Sequence, residues 1–176
     1  MNLQTNNKYM LRFILLLSIF ALVSCKTTEV VKRVPYNELE YVHFKKAGTA
    51  KATGQAFLRT YSGDVKYAAG SKVFLIPVTS ISNQWYYQWY LVENHINPEK
   101  IIAKADTRHL AIIRTKQANG NGRFTFENIP AGEYFIITRI VWKVDQNTVC
   151  GFICNKVSIE DGKSHNFVIT RRHQLN

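Results

Sequence analysis

"GRFTFENIPAGEYFIITRI", residues 122–140, contains two strands and the joint between them. Phe124 and Phe126 alternate with polar neighbours, so they share one face of an extended segment. Pro130 presets φ for a turn, Gly132 relieves it, and Tyr134 opens the returning strand. The same grammar continues on both sides. Downstream, "DQNT" (145–148) turns the chain again, and "KVSIEDGKSHNFVIT" (156–170) reads as a hairpin whose Asp161-Gly162 pair suits a type I′ turn. Upstream of the "NGNG" turn (119–122), "GQAFLRTY" (54–61) sets Ala56, Leu58 and Thr60 against Phe57, Arg59 and Tyr61. After turn chemistry at "SGD" (62–64) and "AGS" (69–71), "KVFLIPV" (72–78) makes a strand that Pro77 ends or pushes to an edge. About seven strands punctuated at short intervals predict an all-β sandwich.

One stretch breaks the pattern. Residues 79–115 are long for a sandwich loop and are expected to be functional or partly structured. Ser82 is placed to cap a short helix in which Trp85 with Trp89, and Tyr86 with Tyr90, fall at i, i+4. With Tyr87, these make five rings within the seven residues "QWYYQWY". Exposed, they would stack on sugars or anchor a protein partner; packed down, they would cover one end of the core. Leu110 to Thr115 is expected to return to strand.

Residues 54–78 and 122–140 together resemble the carboxypeptidase regulatory-like domain, a transthyretin-like, Greek-key β-sandwich. The residues that match its pattern are Gly54, Ala56, Leu58, Gly70, Val73, Leu75, Pro77, Gly122, Phe124, Phe126, Ile129, Pro130, Gly132 and Tyr134. The resemblance spans residues 53–171, leaving 172–176 as a tail. It implies a structural module and no chemistry. The H-x-x-E metal motif of the carboxypeptidases is missing at His43, His95, His109, His165 and His173. The Y-R-G-S ending of the transthyretin-like hydrolases is also missing from "TRRHQLN". No catalytic residue, metal ligand or cofactor is therefore assigned, and a small hydrolase is the least favoured reading.

The N-terminus has the order of an export signal: Lys8 and Arg12 without an acid, then an apolar run from Phe13 to Val23. As a helix that run would reach about 16 Å, roughly half a bilayer's hydrocarbon thickness. Leu22, Val23, Ser24 and Cys25 resemble the bacterial lipobox. That resemblance implies removal of residues 1–24 by a signal peptidase that recognises Leu22, Val23 and Ser24, and acylation of Cys25. Two or three acyl chains hold a protein on a membrane where one does so only marginally. Lys26, where an Asp would signal inner-membrane retention, implies the outer membrane in a Gram-negative cell. Residues 25–52 mix charge, Pro35 and small residues and are expected to be a tether, with an extended piece near Tyr41 to Phe44. Fully extended, such a tether would reach about 90 Å.

The leader carries two of the basic residues and no acid, so the formal charge of the mature chain falls from +11 to +9. A basic surface outside the cytoplasm suits anionic head groups or an acidic polymer rather than nucleic acid. Besides Cys25, only Cys150 and Cys154 remain. An oxidising compartment permits a disulfide between them. In a flat strand, however, their Cα atoms would lie about 13 Å apart, so a bond requires a turn or bulge at Gly151. Otherwise they are free, buried thiols. The functional expectation is a non-enzymatic envelope lipoprotein, a binding or scaffold module whose partner would be an envelope protein or a polysaccharide. The alternative is an envelope-machine component resembling the outer-membrane lipoprotein of type VI secretion.

Overall fold

The computed structural model describes residues 29–91 and 100–171; the lipobox and the C-terminal tail lie outside the described residues. In chain order the elements are β1 (Glu29–Val31), a 3₁₀ turn (Glu38–Glu40), β2 (Ala50–Arg59), β3 (Val65–Tyr67), β4 (Lys72–Pro77) and α1 (Ser80–Trp85). A π-helical turn (Tyr86–Leu91) continues α1, followed by β5 (Lys100–Ile102), α2 (Thr107–Leu110) and β6 (Arg114–Gln117). β7 (Arg123–Ile129), β8 (Gly132–Val144), β9 (Asn147–Ile159) and β10 (Ser164–Ile169) complete the chain.

Two four-stranded sheets form the body. In the first, β2 pairs with β10 in parallel and with β7 and β3 antiparallel; in the second, the order is β6-β4-β8-β9, all antiparallel. β1 and β5 make a separate parallel pair. The expected all-β sandwich is therefore what the chain adopts. Period-two alternation explains the core: Ala52, Ala56 and Leu58 of β2 and Phe124 and Phe126 of β7 are buried against Val73, Leu75, Ile136, Ile140 and Ile153. Alanines on β2 leave room for the Phe124 and Phe126 rings, which meet edge to face at 5.8 Å. Pro77 ends β4 at its last pairing position, opposite Tyr134.

Three sequence expectations need correction. Residues 156–170 are not a hairpin. β9 stays in the second sheet while β10 crosses to lie parallel to β2, which carries Ile169 into the core. A type I′ turn needs positive φ at both central residues, and here only Gly162 has it. β3, between the two Gly-punctuated turns, was not expected as a strand and pairs with Arg59, Leu58 and Phe57.

The third correction concerns the tether. β2 begins at Ala50, and the residues before it pack on the sandwich. Tyr41, expected in an extended piece, instead follows the 3₁₀ turn and is fully buried. His43 Nε2 lies 2.7 Å from the Ala131 carbonyl, and Phe44 meets Tyr134 edge to face at 5.4 Å. Tyr134 in turn donates its hydroxyl to the Pro130 carbonyl, and burial pushes its pKa up to about 12. Residues 41–49 thus clamp the corner where β7 crosses into β8.

Candidate functional site

The aromatic insertion folds onto the outer face of the second sheet. Thr79, rather than Ser82, is the N-cap of α1; Ser82 sits at the third helical position and completes a reciprocal capping box. The π-helical turn then shifts the ring spacing, so Trp85 stacks with Tyr90 at 6.0 Å while Tyr86 stacks with Tyr90 at 5.5 Å and on Phe135 at 4.6 Å. Trp85, Tyr86 and Tyr90 pack with Phe74, Ile76 and Val78 over Phe135, Ile137 and Cys154 as a second small core. Tyr90 accepts the Cys154 backbone N–H at 2.9 Å, capping one position of edge strand β9. Of the five rings singled out in the sequence, Tyr87 is the one placed outward, 56% exposed; the Trp89 side chain lies outside the described residues. The insertion is thus a cover for a sheet face, not for one end of the core.

Cys150 and Cys154 are free thiols in one strand, the first exposed and the second buried. β9 pairs with β8 without a register shift from Asn147 to Ile159, so Gly151 supplies no bulge and the expected geometric obstacle to a disulfide stands. Burial raises the Cys154 thiol's pKa, which keeps it protonated and unreactive.

A polar cluster that sequence reasoning missed joins three separate segments. The Tyr41 hydroxyl lies 2.9 Å from Thr79 Oγ1 and 2.9 Å from His109 Nδ1, with His109 only 5% exposed. Tyr36 stacks on Tyr41 at 4.5 Å, and the Arg108 guanidinium sits 4.2 Å above the Tyr36 ring. Arg108 also grips Asp106 through Nε at 3.0 Å and Nη2 at 2.8 Å, holding that carboxyl at a pKa of about 2. Neither Tyr41 nor His109 is open to a substrate, so the cluster acts as a clamp.

Desolvation by burial, together with the Arg33 charge and against the opposing Asp106 charge, lowers the His109 pKa. Below about pH 6.5 the unfolded chain then binds a proton that the folded chain refuses, so stability falls as pH drops through that value. Urea midpoints measured at pH 7.5 and pH 5 should therefore fall further for the wild type than for His109→Gln.

The remaining candidate surface is the outer face of the first sheet, where no described element packs. Even-numbered residues of β2 point inward, leaving Thr53, Gln55, Phe57 and Arg59 on the outside. Phe57 pairs directly with Tyr67 of β3, their rings edge to face at 6.0 Å, and Tyr67 is 45% exposed. Exposed Arg123 lies opposite Gln55, whose side chain donates to the Asn121 carbonyl at 2.9 Å. Two aromatic rings thus lie on one flat face with an amide, hydroxyls and guanidinium groups. This is a surface for holding a polar ligand that has apolar faces, and it places no nucleophile beside a base.

No protein-family model matches the chain, and no curated protein does. A solved structure does: a Pseudomonas aeruginosa protein described as a candidate carbohydrate binding protein, 24% identical, covering 79% of this chain and 99% of that one with a TM-score of 0.65. The sandwich is shared. At that identity the likeness carries the fold and nothing finer.

Proposed function

We propose that this protein is a non-enzymatic, lipid-anchored module of the bacterial envelope that binds polysaccharide on the open face of its first sheet. The observation that carries this reading is the Phe57–Tyr67 ring pair on a face otherwise lined by hydrogen-bonding side chains. A sugar ring presents C–H groups on its faces and hydroxyls around its rim. Rigid aromatic platforms take the first, and Gln55, Thr53 and Arg123 take the second. The description of the Pseudomonas protein as a candidate carbohydrate binder supports the same class. The anchor follows from the lipobox-like Leu22 to Cys25, and the basic exterior favours acidic glycans over neutral ones.

Affinity electrophoresis through gels containing a glucan, a mannan, a xylan or a uronic-acid polymer tests the proposal. At least one polymer should retard the wild type. Tyr67→Ala or Phe57→Ala should weaken that retardation about tenfold, the loss expected for one central aromatic contact. Tyr87→Ala should leave it unchanged. Absence of retardation in every gel, or retardation that survives the Phe57→Ala/Tyr67→Ala pair, overturns the proposal.

A further inference from the structure

We propose that the layer made by β1, β5 and the aromatic insertion lies directly against phospholipid head groups, so that the open face of the first sheet points away from the membrane. The inference rests on the lipid-anchor reading of Cys25 and goes beyond it by naming the surface that meets the lipid.

Chain length is the first constraint. β1 starts at Glu29, four residues after Cys25. Four residues span at most about 14 Å when fully extended, and the head-group region takes up about 5–8 Å of that. β1 is therefore held within about one Debye length of the lipid surface. From Glu29 onward the stretch expected from composition to be a tether is instead held by the fold.

That fixation comes from both sides of β1. It pairs in parallel with β5 from Glu29↔Lys100 to Val31↔Ile102, and Ala103 N–H donates to the Val31 carbonyl at 2.9 Å. Arg33 Nε donates to the Ala103 carbonyl at 2.9 Å. Gln84 of α1 then acts as a side-chain strand partner: its Nε2 donates to the Lys32 carbonyl at 2.8 Å and its Oε1 accepts from Val34 N–H at 2.9 Å. Because α1 belongs to the layer covering the outer face of the second sheet, the strap emerges on that side. The ring-bearing face lies across both sheets, which pack about 10 Å apart in a sandwich.

The chemistry exposed beside the strap suits the interface. Val30 is 61% exposed, and Lys32 and Lys104 flank the strap with exposed side chains. Lysine stems can lie along an apolar surface while their ammonium groups meet anionic phosphates. A lipid occupant is favoured over a protein one because the covalent anchor already brings this layer to the bilayer.

Lysine footprinting on the acylated protein tests the proposal. The full chain is purified from bacterial membranes, its Cys25 acylation is read by intact mass, and it is reconstituted into phosphatidylethanolamine–phosphatidylglycerol vesicles. Brief labelling with an amine-reactive ester is then quantified at each lysine. Lys32 and Lys104 should label several-fold less than Lys51, which lies on the open face. Inserting about twenty Gly and Ser residues after Thr28 should abolish that contrast, since a chain of that length lets the domain leave the surface. If acylated protein shows equal labelling at all three, or protection of Lys51 instead, the orientation is wrong while the anchor stands. If Cys25 carries no acyl mass, the anchor reading fails and takes the orientation with it.

Discussion

Gly48→Ala is expected to yield little or no folded protein. A Cβ built on Gly48 would stand 2.0 Å from both the carbonyl carbon and oxygen of Ile129 and 2.1 Å from the Pro130 nitrogen, so the clash is with backbone at the β7–β8 corner. That corner has little freedom to retreat. Gly48 N–H donates to the Asn128 carbonyl at 3.3 Å, Arg114 holds the carbonyls of Glu127 and Asn128 at 3.0 and 2.8 Å, and Asn128 already has a φ of 55°. The next residue, Thr49, donates to Asp161 Oδ1 at 2.5 Å and accepts from Gly162 N–H at 2.8 Å, so the same short stretch also ties down the β9–β10 crossing. Moving Gly48 therefore disturbs two of the places where the chain changes sheets, the β7–β8 corner and the β9–β10 crossing. Overpacking against side chains costs about 1–3 kcal/mol; against immobile backbone the loss should be about 4 kcal/mol or more, among the largest for single substitutions. Urea unfolding followed by circular dichroism reads it directly, with Ala47→Ser, at the exposed neighbouring position, as the control. If Gly48→Ala melts with the wild type, residues 41–49 are a tether after all.

This region shows where the sequence stops being legible. The strands of residues 122–144 are legible because alternation, Pro130 and Gly132 are local signals, and Phe124 and Phe126 share the buried face that their alternation assigns them. The burial of Tyr41 and the β9–β10 crossing depend on partners from 38 residues away, at Thr79, to 113, where Ser164 pairs with Lys51, and neither leaves a mark in a short window. Residues 32–49, between β1 and β2, lack periodicity because single side-chain contacts, Tyr41 to Thr79 or Thr49 to Asp161, hold them rather than a repeating face. Composition alone then gives the same reading for a clamp as for a leash.

The candidate site followed a similar logic. Ring density in "QWYYQWY" drew attention to the insertion, yet the rings are dense there because they cover Phe135, Ile137 and Cys154. The quieter signal was in β2. Once Ala56 and Leu58 are assigned inward, Phe57 is an aromatic on the outward register, and only its pairing with Tyr67 of the unexpected strand β3 turns it into a platform. Finding that pair from sequence required finding β3 first.

Tyr41→Ala should be the second severe lesion, at about 3–5 kcal/mol, the range for emptying a fully buried aromatic site. Tyr41→Phe separates ring from hydroxyl. It keeps the stack with Tyr36 but leaves Thr79 Oγ1 and His109 Nδ1 short of a partner in a buried place, a loss of about 1–3 kcal/mol. The two variants should also differ in how His109 titrates. The lowered pKa of His109 comes first from desolvation, and Tyr41 lies against the ring, its hydroxyl 2.9 Å from Nδ1 and its own ring edge to face at 5.9 Å. In the neutral ring with its proton on Nε2, Nδ1 accepts from Tyr41. Alanine opens a polar-walled space that water can enter, so the folded chain can protonate His109 nearer the ordinary value. The stability lost below about pH 6.5 should then shrink in Tyr41→Ala and persist in Tyr41→Phe. Urea midpoints across pH 5–7.5, with the His109 ring proton followed by NMR, would show it. A His109 titration that stays depressed in Tyr41→Ala would mean that Tyr41 is not the group that keeps water from the ring, and that the remaining burial and the Arg33 charge suffice to lower that pKa.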